Sequence, residues 1–364
     1  MRTRRALVGT AAAAAVGIAG FAANRVLTRR SEHRDAATAA LRAAQSGTEN
    51  ELELPADVTH RYVEVRDGGR VHVVERGSGP VVVLLHGAGL AVAVWAYQFR
   101  DLADRYRLVA LDLRGHGEST SGSEGGTIAA MADDIAEVLT SLELRPALVV
   151  GHSMGGMTLL RLARRHPGLI AERVSAVLLL STASGVLPAI GPWNRLGPLA
   201  GKAAVTAGSI ADRSGLRGLP GGDVGRRLAR LGFGVGPSTA QLDAALEMMR
   251  SAQPGHLAAL VPELVAFDER AIFDDLRIPV TVVVGDRDRL TPPALARELA
   301  ENLGGARLVV WPGGGHMLMY ERRESLDWLI DRLASGELDA KRPGTERHRG
   351  RSSNESSLSQ NGEL

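Results

Sequence analysis

Short, continuous apolar runs alternate with helical patterns along the middle of the chain, and this alternation limits the possible folds more than any other feature. The runs are residues 80–87, 107–113, 146–151, 175–180, 279–285 and 306–313. Uninterrupted apolar runs are typical of strands buried on both faces of a parallel sheet. Together with the helical patterns, they predict an α/β fold with a doubly wound, mostly parallel sheet. An antiparallel hairpin is predicted before the first of these runs, from the segments "RYVEV", "DGG" and "RVHVVERG".

The segments outside this body differ from it in composition. Residues 1–30 contain an uncharged Ala/Gly/Val-rich stretch, 6–23, flanked by arginines. As a helix this stretch would be about 27 Å long, close to the hydrocarbon thickness of a bilayer. We expect a membrane anchor or an export signal, with a peripheral or disordered helix as a third alternative; the side of the membrane stays open. Residues 31–56 are expected to form a spacer, 57–335 the folded domain, and 336–364 a disordered tail.

Composition excludes several classes of partner and site. The formal net charge of +2 gives no reason to expect a nucleic-acid partner. The absence of cysteine excludes disulfides, thiolate metal ligands and a cysteine nucleophile. Aromatic residues make up 4% of the chain, so the core must be built mainly from alanine, valine and leucine. No pattern in the sequence indicates the oligomeric state.

A serine, Ser153, lies between two glycines in "GHSMG" (151–155), directly after the third apolar run and before a helical pattern. This G-x-S-x-G arrangement at a strand-to-helix junction is typical of a serine held on a sharp turn, where neighbouring side chains leave no room. Such a serine is a candidate nucleophile, and the alternative is a serine that merely caps the helix. The adjacent His152 is expected to point elsewhere.

A serine hydroxyl is a weak nucleophile, so it needs a general base that an acid orients. His316, in the glycine-rich segment after the last apolar run, is the candidate base. The run before it is followed by two candidate acids, Asp286 and Asp288. We favour Asp288, because a proline soon after it can start a helix and leave the carboxylate free in the loop. Asp286 is expected to make hydrogen bonds within the loop instead.

The first apolar run ends in "HGAG" (86–89), where small residues allow backbone N–H groups to point into a cavity. We expect the N–H of Ala88 to hold a developing oxyanion together with the N–H of Met154, at the positive end of its helix. The alternative for this segment is a tight turn without a chemical role. His86 and His116 are expected to be structural.

With these residues the chain resembles the α/β-hydrolases, and the resemblance covers most of 57–335. The segment "LDLRGHGES" (111–119) resembles the family's loop after the second buried strand, and "GHSMGG" is frequent in its esterases and lipases. The resemblance implies a nucleophile, a base, an orienting acid and two oxyanion donors: Ser153, His316, Asp288, Ala88 and Met154. It implies no metal and no organic cofactor.

Residues 185–273 are too many for a simple crossover helix, and in this family such an insertion is a cap over the active site. Two helical patterns within it, 242–253 and 256–268, carry few charges on one face. Met248 and Met249 have two interpretations, ordinary packing within the cap or the lining of an apolar acyl pocket. We expect a preference for medium acyl chains over acetate.

Three functional hypotheses stay open at the level of sequence. The first is hydrolysis of a small, apolar carboxylic ester. The second is carbon–carbon hydrolysis, lactone opening or cofactor-free perhydrolysis on the same residues, because one kind of site supports many reactions. The third is a membrane-tethered binding protein with a vestigial site. Epoxide hydrolases and haloalkane dehalogenases are disfavoured, because they resemble this chain but need aspartate where Ser153 stands.

Overall fold

A computed structural model of the chain describes residues 51–185, 222–252, 254–270, 278–304 and 306–338. The predicted anchor or export signal at 1–30 lies outside these residues, as do most of the predicted spacer and tail, and residues 186–221 of the predicted cap. Within the described ranges, no helix combines the length and apolar character needed to cross a membrane.

An eight-stranded sheet forms the centre of the fold. Its strands are β1 Thr59–Glu64, β2 Arg70–Arg76, β3 Val81–Leu85, β4 Arg107–Leu111, β5 Ala147–His152, β6 Val174–Leu180, β7 Val280–Gly285 and β8 Arg307–Trp311. The spatial order is β1-β2-β4-β3-β5-β6-β7-β8. Strand β2 is antiparallel to β1 and β4, and the other neighbours are parallel. The predicted hairpin, the predicted strands and the mostly parallel sheet are therefore confirmed.

Helices occupy the connections between most of these strands. Among the described residues they are α1 Ala96–Asp101, α2 Ile128–Ser141, α3 Met154–Arg165, α4 Pro167–Arg173, α5 Gly222–Ala229, α6 Thr239–Ser251, α7 Pro254–Ala266, α8 Pro293–Asn302, α9 Leu318–Glu321 and α10 Arg323–Ala334. Short 3₁₀ turns cover Val92–Trp95 and Arg230–Gly232. Helices α5, α6 and α7 lie in the segment predicted as a cap, and α6 begins with a capping box in which Ser238 and Gln241 bond reciprocally.

The core lies on both faces of the sheet, and strand β3 shows why the apolar runs are continuous. Val81, Val83 and Leu85 belong to the core that also contains residues of α2, α3 and α8. Val82 and Leu84 belong to the opposite core, together with residues of α1 and α10. Successive side chains of a strand point to opposite faces, so a strand covered by helices on both sides must be apolar at every position.

The parallel strands bring their carboxyl ends to one edge of the sheet. The segments that follow β3, β5, β7 and β8 contain the HGAG sequence, Ser153, Asp288 and His316, respectively. In open α/β sheets, ligands bind beyond these strand ends. The topology therefore collects the residues singled out in the sequence at the edge where a site is expected.

Candidate active site

Ser153 lies on a strained turn between β5 and α3. Its φ of +51° and ψ of −118° are unusual for a residue with a side chain. Two hydrogen bonds hold the turn: the Ser153 N–H donates to the Leu180 carbonyl over 2.9 Å, and the Thr182 hydroxyl donates to the Ser153 carbonyl over 2.7 Å. The half-buried serine side chain is thereby fixed just beyond the end of β5.

The two glycines flanking the serine are required by close backbone approach. A Cβ atom at Gly151 would lie 2.7 Å from the Cα atom of Gly156. A Cβ atom at Gly155 would lie 2.5 Å from the Leu85 carbonyl oxygen of β3. Helix α3 therefore begins where its backbone almost touches the sheet, and the prediction that this turn has no room for neighbouring side chains is confirmed.

The structure brings Ser153, His316 and Asp288 together from three separate loops. The His316 Nε2 atom lies 2.9 Å from the Ser153 Oγ atom, and His316 Nδ1 lies 2.9 Å from an Asp288 carboxylate oxygen. A carboxylate only accepts hydrogen bonds, so the proton of a neutral His316 belongs on Nδ1. The Nε2 atom is then free to accept the serine proton, the arrangement a general base needs.

Asp288 is buried, and its carboxylate accepts several hydrogen bonds. One of its oxygens accepts hydrogen bonds from the N–H groups of Leu290 and Thr291, both over 2.9 Å, and the other accepts from the Thr291 hydroxyl over 2.7 Å. Burial raises the pKa of this carboxyl, but His316 and the hydrogen bonds outweigh it and hold the pKa at about 2. Asp288 is therefore ionised at neutral pH. The two hydrogen bonds that Thr291 donates to Asp288 were not predicted from the sequence.

Asp286 has a different role, as expected from the sequence. Its carboxylate is exposed and accepts a hydrogen bond from the Gly313 N–H over 2.7 Å. The bond joins the segment after β7 to the segment after β8 and makes no use of His316. Of the two candidate acids, the structure brings Asp288 to the histidine.

His152 supports His316 from the neighbouring position on the elbow. Its Nε2 atom lies 3.0 Å from the His316 carbonyl oxygen, so its hydrogen bond goes there rather than to the serine hydroxyl. Complete burial, with His316 nearby, lowers the pKa of His152 well below its usual range. The ring is neutral at physiological pH and can donate this bond.

The two predicted oxyanion donors flank the serine. Met154 is the first residue of α3, and Ala88 follows Gly87, where a Cβ atom would lie 3.0 Å from the Ser153 Cβ atom. Among the hydrogen bonds within the described part of the chain, none uses the N–H of Ala88 or Met154. Both groups are therefore available near the serine, which an oxyanion site requires.

Two buried histidines fix the loop that contains Ala88. The Leu113 N–H donates to His86 Nε2 over 2.9 Å, and the Gly89 N–H donates to His116 Nε2 over 3.0 Å. Burial lowers the pKa of His116 to about 3, which keeps it neutral as an acceptor. Both histidines are structural, as expected, but the structure they support is the candidate oxyanion loop.

Glu321 on α9 positions the loop that contains His316. Its carboxylate accepts hydrogen bonds from the N–H groups of Gly315 over 3.0 Å, Met317 over 3.1 Å and Gly234 over 2.6 Å. The residues on both sides of the histidine are thus bound to one side chain. Sequence reasoning missed this role, although Glu321 follows the histidine by only five positions.

The predicted cap contributes two apolar side chains near the site. A Cβ atom at Gly89 would lie 3.6 Å from the Met249 side chain and 3.8 Å from that of Leu257. Met248, by contrast, is 8% exposed and belongs to the core. Both methionines therefore pack against this core, and Met249, which is partly buried, also lies near Gly89 in the loop that contains Ala88.

Comparisons with known proteins identify the family to which the chain is similar. The family described as alpha/beta hydrolase fold matches residues 80–323, more than half of the chain. The AB hydrolase superfamily protein YisY of Bacillus subtilis is 29% identical over 280 residues, which cover 75% of this chain and 98% of that protein. A pimeloyl-[acyl-carrier protein] methyl ester esterase of Aromatoleum aromaticum is 31% identical over 264 residues, covering 71% and 99%. The solved structure of the esterase EaEST from Exiguobacterium antarcticum has a TM-score of 0.65 at 22% identity and covers 76% of this chain and 100% of that one.

Proposed function

The chain belongs to the alpha/beta hydrolase fold family and is a hydrolase, and from this premise we propose that it cleaves carboxylic esters by way of an acyl-enzyme on Ser153. One observation carries the proposal: a continuous chain of hydrogen-bond contacts, each 2.9 Å long, runs from the Ser153 hydroxyl through His316 to Asp288. The match to a relative named as a methyl ester esterase supports the ester class.

Acylation begins when His316 Nε2 takes the Ser153 proton as the serine oxygen attacks the ester carbonyl carbon. The carbonyl oxygen becomes an oxyanion, which accepts hydrogen bonds from the N–H groups of Ala88 and Met154. The ionised Asp288 stabilises the positive charge on His316. The tetrahedral intermediate then collapses, and the departing alkoxide takes the proton from His316.

Deacylation repeats these steps with water. His316 removes a proton from a water molecule that attacks the acyl-enzyme carbonyl, and the same two N–H groups hold the second oxyanion. When this intermediate collapses, Ser153 leaves as the alcohol by recovering the proton from His316. The products are a carboxylic acid and an alcohol, and the enzyme returns to its starting state.

The substrate we propose has an apolar acyl chain of medium length. Met249 and Leu257 lie close to Gly89, the residue after Ala88. We infer that the acyl chain of an ester held by the Ala88 N–H lies along these two side chains. An unbranched, flexible methionine side chain adapts to acyl chains of different shapes. Apolar surface of this kind stabilises several methylene groups better than the single methyl group of acetate.

Hydrolysis of a series of p-nitrophenyl esters, from acetate to palmitate, tests both parts of the proposal. We expect kcat/KM to peak at a medium chain length and the Ser153→Ala variant to lose about 10⁶ in kcat. A flat chain-length profile would contradict the acyl preference. Equal activity in the Ser153→Ala variant would contradict the mechanism. Absence of ester hydrolysis, with Ser153 still labelled by a fluorophosphonate, would favour carbon–carbon, lactone or perhydrolase chemistry.

A further inference from the structure

Three side chains that can bind a metal ion meet at the β1–β2 edge of the sheet, on residues outside the candidate active site. His60 lies on β1, His72 on β2, and Glu118 in the loop after β4. One ligand atom from each of the three lies within 4.8 Å of the others. Tyr62 pairs with His72 across the antiparallel ladder, so His60, two residues before Tyr62, points to the same face of the sheet as His72.

His72 is already oriented as a metal-binding histidine would be. Its side chain is 1% exposed, and its Nδ1 atom lies 2.7 Å from an Asp112 carboxylate oxygen. Because this carboxylate only accepts, the proton of neutral His72 belongs on Nδ1, and the Nε2 lone pair points toward His60, whose Nδ1 atom is 2.9 Å away. A carboxylate behind a ligand histidine fixes the ring and raises its basicity in known metal sites.

Asp112 is itself held in place from two sides. Its oxygens accept hydrogen bonds from the N–H groups of Val92 over 2.8 Å and Glu118 over 2.9 Å. The carboxylate that orients His72 therefore also fixes the backbone of Glu118, the third candidate ligand. Both outer members of the cluster, His60 and Glu118, are exposed and can adjust, whereas the central histidine is buried and fixed.

We propose that His60, His72 and Glu118 form a binding site for a divalent transition-metal ion, with zinc as the best match. Two imidazole nitrogens and one carboxylate oxygen are a common protein ligand set for zinc, and a water molecule completes a tetrahedral site. With bonds of about 2.0–2.1 Å, tetrahedral ligand atoms lie roughly 3.3 Å apart. The side chains of His60 and Glu118, which are both exposed, would rotate to bring their ligand atoms to this spacing.

Two contacts of the cluster compete with the ion. The hydroxyl of Tyr62 donates a short hydrogen bond to the Glu118 carboxylate, and His60 and His72 share the hydrogen bond described above. Metal binding would replace the histidine–histidine bond and draw the Glu118 carboxylate from Tyr62, so binding is expected to be reversible by chelators.

The ion would connect the hairpin to the loop that supports the candidate oxyanion donor. Glu118 lies two residues after His116, whose Nε2 atom accepts the hydrogen bond from the Gly89 N–H. Joining Glu118 to β1 and β2 would restrain this loop. An ion that binds the folded chain in preference to the unfolded one raises the Tm, so the metal has a stabilising role.

Metal titration of the full chain, free of affinity tags and previously treated with a chelator, tests the site. We expect one equivalent of Zn²⁺ by calorimetry, and Co²⁺ absorption bands of a tetrahedral or five-coordinate site. His60→Ala and Glu118→Gln each remove a ligand, so each should weaken binding by at least the roughly 10- to 100-fold that is typical for loss of a ligand's outer hydrogen-bond partner. Zinc at a concentration that just saturates the unaltered chain should raise its Tm and should raise that of His60→Ala much less.

Two matched variants separate this site from other sources of binding. Ser153→Ala alters the candidate active site, and His348→Ala removes a histidine outside the described residues; both should bind zinc like the unaltered chain. Circular dichroism verifies that His60→Ala and Glu118→Gln fold, which their exposed positions lead us to expect. Lack of saturable binding to the unaltered chain, or undiminished binding by both cluster variants, would overturn the proposal.

Discussion

Ser153 combines a strained backbone with the side chain proposed as the nucleophile. A non-glycine residue at such a φ costs of order 1–3 kcal/mol, and it persists when its surroundings determine the conformation. Here the Leu180 carbonyl and the Thr182 hydroxyl hold the turn, and the glycines at 151 and 155 allow the helix to start against the sheet. The strain is therefore local and is offset by contacts that the sheet supplies.

Replacing Gly155 tests this close approach. The added Cβ of Gly155→Ala would lie 2.5 Å from a β3 carbonyl oxygen, so the helix must shift. We expect a loss of roughly 1–3 kcal/mol in the free energy of unfolding, as for other overpacked sites, together with reduced ester hydrolysis. Gly168→Ala on α4 is the matched control, because a Cβ atom there meets nothing within 4 Å. Urea denaturation measures both, and equal stability of the two variants would count against a steric requirement for glycine at 155.

The two aspartates after β7 offer a second test at this scale. Asp288→Asn keeps the shape of the side chain but removes the charge that orients His316, and we expect kcat to fall by about 10⁴. Asp286→Asn changes a carboxylate that bonds the Gly313 N–H, so its kcat should stay close to that of the unaltered enzyme. A larger loss in Asp286→Asn than in Asp288→Asn would reverse the assignment.

At the scale of elements, helices α1 and α10 meet through a buried acidic group. Gln98 of α1 donates to Asp327 of α10 over 2.9 Å, and Arg323 pairs with Asp101 over 2.6 Å. Burial, with Asp101 nearby, raises the pKa of Asp327 to about 7. In the unfolded chain this carboxyl has an ordinary, lower pKa, so the folded state binds the extra proton between the two values.

The sign of the resulting pH dependence follows from this shift. The protonated Asp327 contributes stability that is fully present below the unfolded pKa and is lost as pH rises toward 7. Asp327→Asn imitates the protonated form at every pH, so its free energy of unfolding should change less than that of the unaltered chain between about pH 4 and pH 7. Glu324→Gln, an exposed change on the same helix, should keep the original profile. Identical profiles for Asp327→Asn and the unaltered chain would contradict the pKa shift.

The elements themselves could be predicted because their causes are local. The β3 run is apolar at every position since helices cover both faces, and the serine turn requires glycine at fixed neighbouring positions. The supporting roles of Glu321 and His116 could not be found in this way. Each depends on backbone groups that folding brings close, such as Gly234 for Glu321 and Gly89 for His116, and no spacing in the sequence encodes those contacts.

For the whole molecule, the sheet topology explains why the candidate site forms where it does. Ser153, Asp288 and His316 all follow the carboxyl ends of parallel strands, so they lie at the same edge of the sheet although 163 positions separate the serine from the histidine. The strand alternation predicted the sheet, but the relation of the cap to the site depends on tertiary contacts such as Met249 over Gly89. The membrane anchor or export signal at 1–30 stays a prediction from composition alone.

Mass spectrometry of the full chain, quenched with acid during turnover of a p-nitrophenyl ester, would identify the nucleophile without relying on loss of activity. We predict an acyl adduct that maps to Ser153 and accumulates when the acyl-enzyme forms faster than water removes it. Asp288→Asn should form the adduct more slowly, and Ser153→Ala should form none. An adduct on another residue, or undiminished turnover by Ser153→Ala, would contradict the assignment of Ser153 as the nucleophile.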